Sequence, residues 1–146
     1  MVFDRSAAAA WYRRNRARSR RLFDLLVEET YYSQPIALRH PIVFYEGHLP
    51  GFSFNTLLKK GLGRPSIDAK LETLFARGID PHESGAGGAG RAGGEWPSRD
   101  VVHQFADEAD RQVIDALVNG DIEQAGHPML DGAEAAVTIL EHEAMH

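Results

Sequence analysis

Apolar residues recur at helical spacing along most of the chain, and the alternating pattern of a β-strand is nearly absent. One stripe runs through the last third of the sequence: Val102, Phe105, Ala109, Val113 and Ala116/Leu117. Side chains at this spacing share one face of an α-helix. Ser98 is a suitable cap for its start, and Asn119-Gly120 is a typical helix end. The pattern therefore predicts a long helix over 98–119.

Further helices are predicted from the same spacing and from cap residues. A first helix extends from Ser6 to about Glu29, and its stripe consists of Trp11, Asn15, Arg18, Leu22 and Leu25/Leu26. The other predicted helices cover about Ile36–Lys60, Ser66–Arg77, and Asp131 or Gly132 to the final residue. The one short strand-like run, residues 42–45, lies among helical surroundings. Long helices joined by one long connection predict an all-α four-helix bundle.

Two stretches interrupt this regular pattern. Pro50 has no N–H and would clash with the carbonyl of Glu46, so we expect a kink or break there, or a simple helix–loop–helix joint. Residues 82–95 are rich in Gly and Ala and are predicted to form a flexible loop with no function of its own. The chain of 146 residues otherwise suits a single domain.

Composition narrows the chemistry. The chain has no cysteine, so disulfides and thiolate metal ligands are excluded. Seven of its 16 basic residues lie at or before Arg21, but the net charge is −5, so we interpret them as a salt-bridged helix face and expect no nucleic-acid partner. No apolar run is long enough to cross a membrane, and no signal peptide is apparent. A cytoplasmic protein is the simplest expectation.

The strongest local feature is a histidine pair near the end of the sequence. His142 and His146 are four residues apart on a predicted helix, so both imidazoles lie on one face and are close enough to share a metal ion. Ala135, Thr138 and Ile139 lie on the same face, which therefore points inward. The run 142–146 also matches H-E-x-x-H, but no substrate-binding edge strand is apparent, which disfavours a zinc protease.

A third ligand would complete a metal site, and His48 is the best candidate. It is four residues from both Phe44 and Phe52, on an aromatic inner face beside the predicted kink. A lone histidine in such a place is usually a hydrogen-bonded core residue, and the pair on the last helix is what favours a ligand. The remaining candidates, His40, His82, His103 and His127, lie at a helix start, in loops or at a boundary. Three neutral imidazoles with open positions fit Fe(II) or Zn(II).

These motifs resemble a known enzyme family. Leu38–Pro50 resembles the first ligand motif of the sulfoxide synthases of ergothioneine biosynthesis, 142–146 resembles their second, and Trp96–Asp100 resembles the start of their third helix. The selenoneine synthase branch is the part of this family that the sequence resembles most. The resemblance lies in residues 45–50, Asn55–Leu58 and Gly61–Pro65. Met145 stands where members acting on sulfur often carry Gln, which is compatible with that branch.

The resemblance implies a fold, a cofactor and substrates. It implies an N-terminal DinB-like four-helix bundle over 1–146 in which His48, His142 and His146 hold Fe(II). O₂ and a thiol, or a selenosugar, would react at the imidazole C2 of hercynine (trimethylhistidine). A C-terminal domain of the formylglycine-generating-enzyme type, which would carry the catalytic acid or base, is expected beyond residue 146.

Two other functions remain open from the sequence. One is a stand-alone DinB-like metalloprotein, such as a thiol transferase or hydrolase that uses Zn or Ni. The other is a non-catalytic helical interaction module, in which the histidines are incidental and the arginines of the first helix form an interface.

Overall fold

The predicted all-α class is confirmed by a computed structural model that describes residues 3–76 and 96–146. Within these residues there are six α-helices and no strand. The helices are α1 (Arg5–Asp24), α2 (Glu28–Tyr31), α3 (Ile42–Ser53), α4 (Ala69–Phe75), α5 (Arg99–Asn119) and α6 (Glu134–Met145). The four long ones, α1, α3, α5 and α6, pack together in an arrangement consistent with the predicted bundle. The predicted loop 82–95 lies outside the described residues.

The face that α1 buries differs from the predicted stripe. Trp11, Leu22 and Leu25 are exposed, whereas the buried residues of α1 are Ala8, Ala9, Tyr12, Asn15, Arg16 and Ser19. The buried face is rotated from the predicted one because Arg16 and Ser19 have acidic partners on other helices. The helix also starts earlier than predicted, since the Asp4 carboxylate, and not Ser6, accepts from the Ala7 amide. It ends at Asp24, and the short α2 follows.

α3 is not interrupted at Pro50, so the break or helix–loop–helix joint expected there is wrong. α3 begins at Ile42 after Pro41, continues through Pro50 to Ser53, and then widens into a π-helix over Phe54–Gly61. The irregularity therefore lies four residues beyond the proline. α3 and the π-helix follow each other without a gap, and His48 is a buried residue of α3. Wide helical turns of this kind are frequent near functional sites.

The last third of the chain follows the prediction closely, except where α6 begins. The Ser98 hydroxyl caps α5, and every residue of its predicted apolar stripe is buried. α6 starts at Glu134 because Gly132 and Ala133 have left-handed φ angles of 59° and 60°, which separate it from the 3₁₀ turn Asp131–Ala133. α4 is capped by Asp68 instead of Ser66. No helix of the described residues has the length and apolarity of a membrane span.

Two apolar clusters form the core. The larger joins α1, the π-helix, α5 and α6 around residues such as Tyr12, Leu57 and Ile139. The smaller contains Phe44, Phe75 and Phe105 and lies beside His48. The ring of Phe75 rests directly on the backbone of Gly47, where any Cβ would overlap it. Glycine at position 47 therefore lets the end of α4 reach α3.

We expect Gly47→Ala to destabilise the fold by about 1–3 kcal/mol, because the added methyl group must displace the Phe75 ring from a packed core. Gly51→Ala is the matched control on the same helix. Its Cβ would lie 3.3 Å from the Phe75 Cβ, so only a small shift is needed. Urea unfolding of both variants measures the difference. Equal stabilities would show that the Phe75 ring does not need the space at Gly47.

Candidate metal centre

His48 is held in one orientation by its neighbours. It projects from α3 between Phe44, whose ring stacks on it at 5.0 Å, and Phe52, at 6.1 Å between centroids. Its Nδ1 lies 2.7 Å from the carbonyl oxygen of Phe75. Since a carbonyl can only accept, Nδ1 carries the proton in the neutral ring and Nε2 carries the lone pair. Nε2 is buried and has no hydrogen-bond partner among the described residues.

His142 and His146 face His48 from α6. The His142 ring stacks on Phe52 with centroids 3.6 Å apart and planes 9° from parallel. The Nε2 atoms of His142 and His146 are 3.1 Å apart, and both rings have their centroids 5.2 Å from that of His48. The predicted inward face is confirmed for Ala135 and Ile139, which are buried, whereas Thr138 and His142 are half-buried and His146 is exposed at the end of the helix. The two stretches of sequence thus converge on one point.

The three rings meet the geometric requirement for a shared ion. One nitrogen of each lies within 4.8 Å of the others. Two imidazole nitrogens bound to one ion at about 2.1 Å are about 3.0–3.4 Å apart, which matches the His142–His146 pair. The unpartnered Nε2 of His48 is the atom with a lone pair to offer, so the residues fit a three-histidine metal site.

The electrostatics favour metal binding over protonation. Burial lowers the pKa of His142 to about 3, with His146 and His48 contributing in the same direction. Burial also lowers the pKa of His48 and of His146. All three rings are therefore neutral near pH 7, the state in which an imidazole can donate its lone pair to a metal.

Glu143 lies beside the cluster, and its role was missed from the sequence. Although it follows His142 in the H-E-x-x-H run, its side chain points toward α1 and is only 1% exposed. Its Oε1 accepts from Nη1 of Arg16 at 3.0 Å and from the Ser19 hydroxyl at 2.7 Å. A carboxylate engaged in this way is poorly placed to act as the general base of a zinc protease. Local spacing held no signal for this contact, because the partners of Glu143 lie more than 120 residues away in sequence.

A groove of about 760 Å³ opens beside the histidine cluster. Its walls come from the end of α1, the segment before α3, and the last turn of α6, where His146 and Met145 line it. Most of the lining is apolar, and Arg18 and Arg39 stand exposed at its edge. A molecule in this groove would therefore touch His146, one of the three clustered histidines.

The remaining histidines lie elsewhere. His40 is buried with its ring 4.0 Å from that of Phe44, and it borders the groove. His103 lies at the boundary predicted for it, where its Nε2 is 2.9 Å from Oε1 of Glu46. His127 accepts from the Met129 amide in a loop. His82 is outside the described residues. Among the described residues, these three do not join the cluster.

Comparison with known proteins agrees with part of the resemblance. A segment of 57 residues is 40% identical to Ergothioneine biosynthesis protein 1 of Neurospora crassa. The match covers 39% of this chain and 6% of that protein, so the chain spans only a small part of its relative's length. No family model matches the chain. The narrower resemblance to the selenoneine synthase branch receives no support from these comparisons.

The low pKa of His142 predicts that the metal-free protein loses stability in mild acid. Below about pH 6.5 the unfolded chain binds a proton at this residue, whereas the folded protein does not until about pH 3. The free energy of unfolding should therefore fall as the pH decreases through this window. His142→Phe keeps a ring against Phe52 and removes the titration, so its stability should fall less steeply. Urea unfolding in the presence of a chelator, at about pH 7, 5.5 and 4, measures both slopes, and identical slopes would contradict the assignment.

Proposed function

We propose that this chain is the iron-binding helical domain of an O₂-dependent enzyme that attaches sulfur or selenium to the imidazole C2 of hercynine. The observation that carries the proposal is the convergence of His48, His142 and His146 on one point. The partial similarity to an ergothioneine biosynthesis protein supports the reaction class. The pair His142 and His146 alone would not support a metal site, because histidine pairs at helical spacing are common.

The donor set is suited to a catalytic ion. Three neutral imidazoles leave further coordination positions open, as in metal sites that bind substrate or O₂. His146 borders the groove, so those open positions would face the space in which a small molecule can bind. A bound ferrous ion would supply the activation of O₂. The protein's own part is to orient the rings and to keep them unprotonated.

The overall reaction balances without a further reductant. Hercynine loses the hydrogen at C2, and the thiol loses its S–H hydrogen. A C–S bond forms, one oxygen atom of O₂ becomes the sulfoxide oxygen, and the other leaves as water with the two hydrogens. With a selenol in place of the thiol, the same balance gives a selenoxide.

The groove is compatible with small substrates but does not distinguish sulfur from selenium. Met145, exposed on the last turn of α6, lines the groove next to His146. A thioether is a weak hydrogen-bond acceptor, so it would hold a substrate imidazole less firmly than an amide would. The choice of a selenium donor therefore rests on the resemblance to the selenium branch alone. The proposal also requires a further C-terminal domain to supply the catalytic acid or base.

Anaerobic titration with Fe(II) tests the metal centre. We expect one equivalent to bind to the unaltered chain, and His48→Ala, His142→Ala and His146→Ala each to weaken binding by more than about 100-fold, since even losing an outer partner of a metal site costs about 10–100-fold. His103→Ala, a helix-borne histidine outside the cluster, is the matched control and should bind as the unaltered chain does. Equal affinity in His48→Ala would remove His48 from the site.

The reaction class is tested separately with the chain joined to a C-terminal domain of the kind that the proposal requires. The iron-loaded protein is given hercynine and O₂ with either a thiol or a selenosugar, and mass spectrometry identifies the product. We expect a C–S or C–Se adduct that requires all three histidines. Tight binding of Zn or Ni together with transfer or hydrolysis of a thiol substrate would favour the stand-alone metalloprotein instead. Absence of any metal binding would favour an interaction module.

A further inference from the structure

The last turns of α6 are held by polar side chains of α1. Asn15 donates through Nδ2 to the carbonyl of Leu140 at 3.1 Å. One turn further along, Arg16 and Ser19 both donate to Glu143 Oε1. These bonds bridge residues more than 120 positions apart in sequence and are all buried. α1 is therefore hydrogen-bonded to α6 along the turns that carry His142 and His146.

Arg16 connects three helices at once. Its Nε lies 2.8 Å and 3.1 Å from the two carboxylate oxygens of Asp110 on α5, while Nη1 reaches Glu143 on α6. Its side chain is only 7% exposed. Burial alone would lower the pKa of Arg16, but Asp110, Tyr12 and Glu143 raise it above its ordinary value, so the guanidinium is a permanent cation. The planar fork of an arginine can contact two carboxylates from fixed directions, which one ammonium group cannot do in the same way.

The contact bears on how α6 is rotated about its own axis. Successive residues of an α-helix are about 100° apart, so Glu143 lies roughly 60–100° around the axis from His146 and His142. Fixing Glu143 against α1 therefore fixes the direction in which both imidazoles point. A rotation that released Glu143 would turn the imidazoles away from His48 Nε2.

We propose that Arg16 and Glu143 are positioning residues that set the geometry of the three-histidine centre from outside it. This inference rests on the proposed metal site. Neither residue is one of the three clustered histidines. Glu143 borders the groove, but its carboxylate bonds to α1, so the effect of both residues passes through the orientation of α6. Removal of either should disturb the ligand arrangement more than it disturbs the bundle, whose apolar contacts between α1 and α6 remain.

The test compares variants that differ in how they alter this contact. Glu143→Gln keeps the shape and the Ser19 bond but removes the charge. Arg16→Lys keeps the positive charge but removes the planar guanidinium that contacts Asp110 and Glu143 together. Ser19→Ala removes one hydrogen bond only and is the variant least able to prevent folding. Arg111→Gln is the matched control, because Arg111 is an exposed arginine that pairs with Glu108 within α5 and does not reach α6.

Two measurements on the metal-loaded chain report geometry. Co(II) affinity is determined by competition with a chelator, and the ligand-field absorption of bound Co(II) reports the arrangement of the nitrogens. We expect Glu143→Gln and Arg16→Lys to lose at least about tenfold in affinity and to change the spectrum, as outer partners of metal sites typically do. Ser19→Ala should show a smaller loss, and Arg111→Gln should match the unaltered chain. Affinities and spectra that are unchanged in the first two variants would overturn the inference.

A third measurement needs no metal. Amide hydrogen exchange of the metal-free protein should become faster in the last two turns of α6 in Glu143→Gln and Arg16→Lys, with α3 unaffected. If the unaltered chain binds no Co(II), the proposed metal centre fails, and the positioning role is then judged by this exchange pattern alone. Uniformly faster exchange along all helices would show a general loss of stability and would reject positioning.

Discussion

A buried ion pair joins the first helix of the chain to the last, and the candidate centre depends on it. Helical spacing aligns His142 with His146, but it does not decide which neighbour they face. The contact of Glu143 with Arg16, anchored in turn on Asp110, directs the pair toward α3. Across the cluster, the carbonyl of Phe75 orients His48. Histidines from two distant stretches of sequence therefore meet because other residues hold them in place. Glu143 is fixed against α1 on one side, and Phe75 binds His48 on the other.

The sequence was sufficient for the parts of the fold in which apolar periodicity decides burial. α5 has its predicted cap, its predicted stripe and its predicted end. The three histidines also come together as predicted, since each lay at helical spacing from inward-facing residues. α1 was different, because its buried face contains Asn15, Arg16 and Ser19. A polar residue is buried when a partner is present, and that partner can be more than 100 residues away, where local spacing carries no information.

The run His142-Glu143-Ala144-Met145-His146 illustrates how far a short motif can be interpreted. The spacing of the histidines has the same geometric consequence in any helix, namely two rings on one face. The glutamate between them has no fixed role, because its direction depends on which helix packs against that side. Here α1 occupies that side, and the carboxylate becomes part of the scaffold. The wide turn at Phe54–Gly61 and the left-handed start of α6 were equally invisible to periodicity.

The lowered pKa values of the three histidines affect how such a centre would take up its metal ion. Because the imidazoles have no extra protons to release near neutrality, an entering cation competes with water and not with H⁺. Occupancy would then respond to the concentration of the free ion and remain insensitive to modest acidification. A site made of ordinary, solvated histidines would begin to lose its metal over the same range of mild acidity, because protons would compete for the imidazoles.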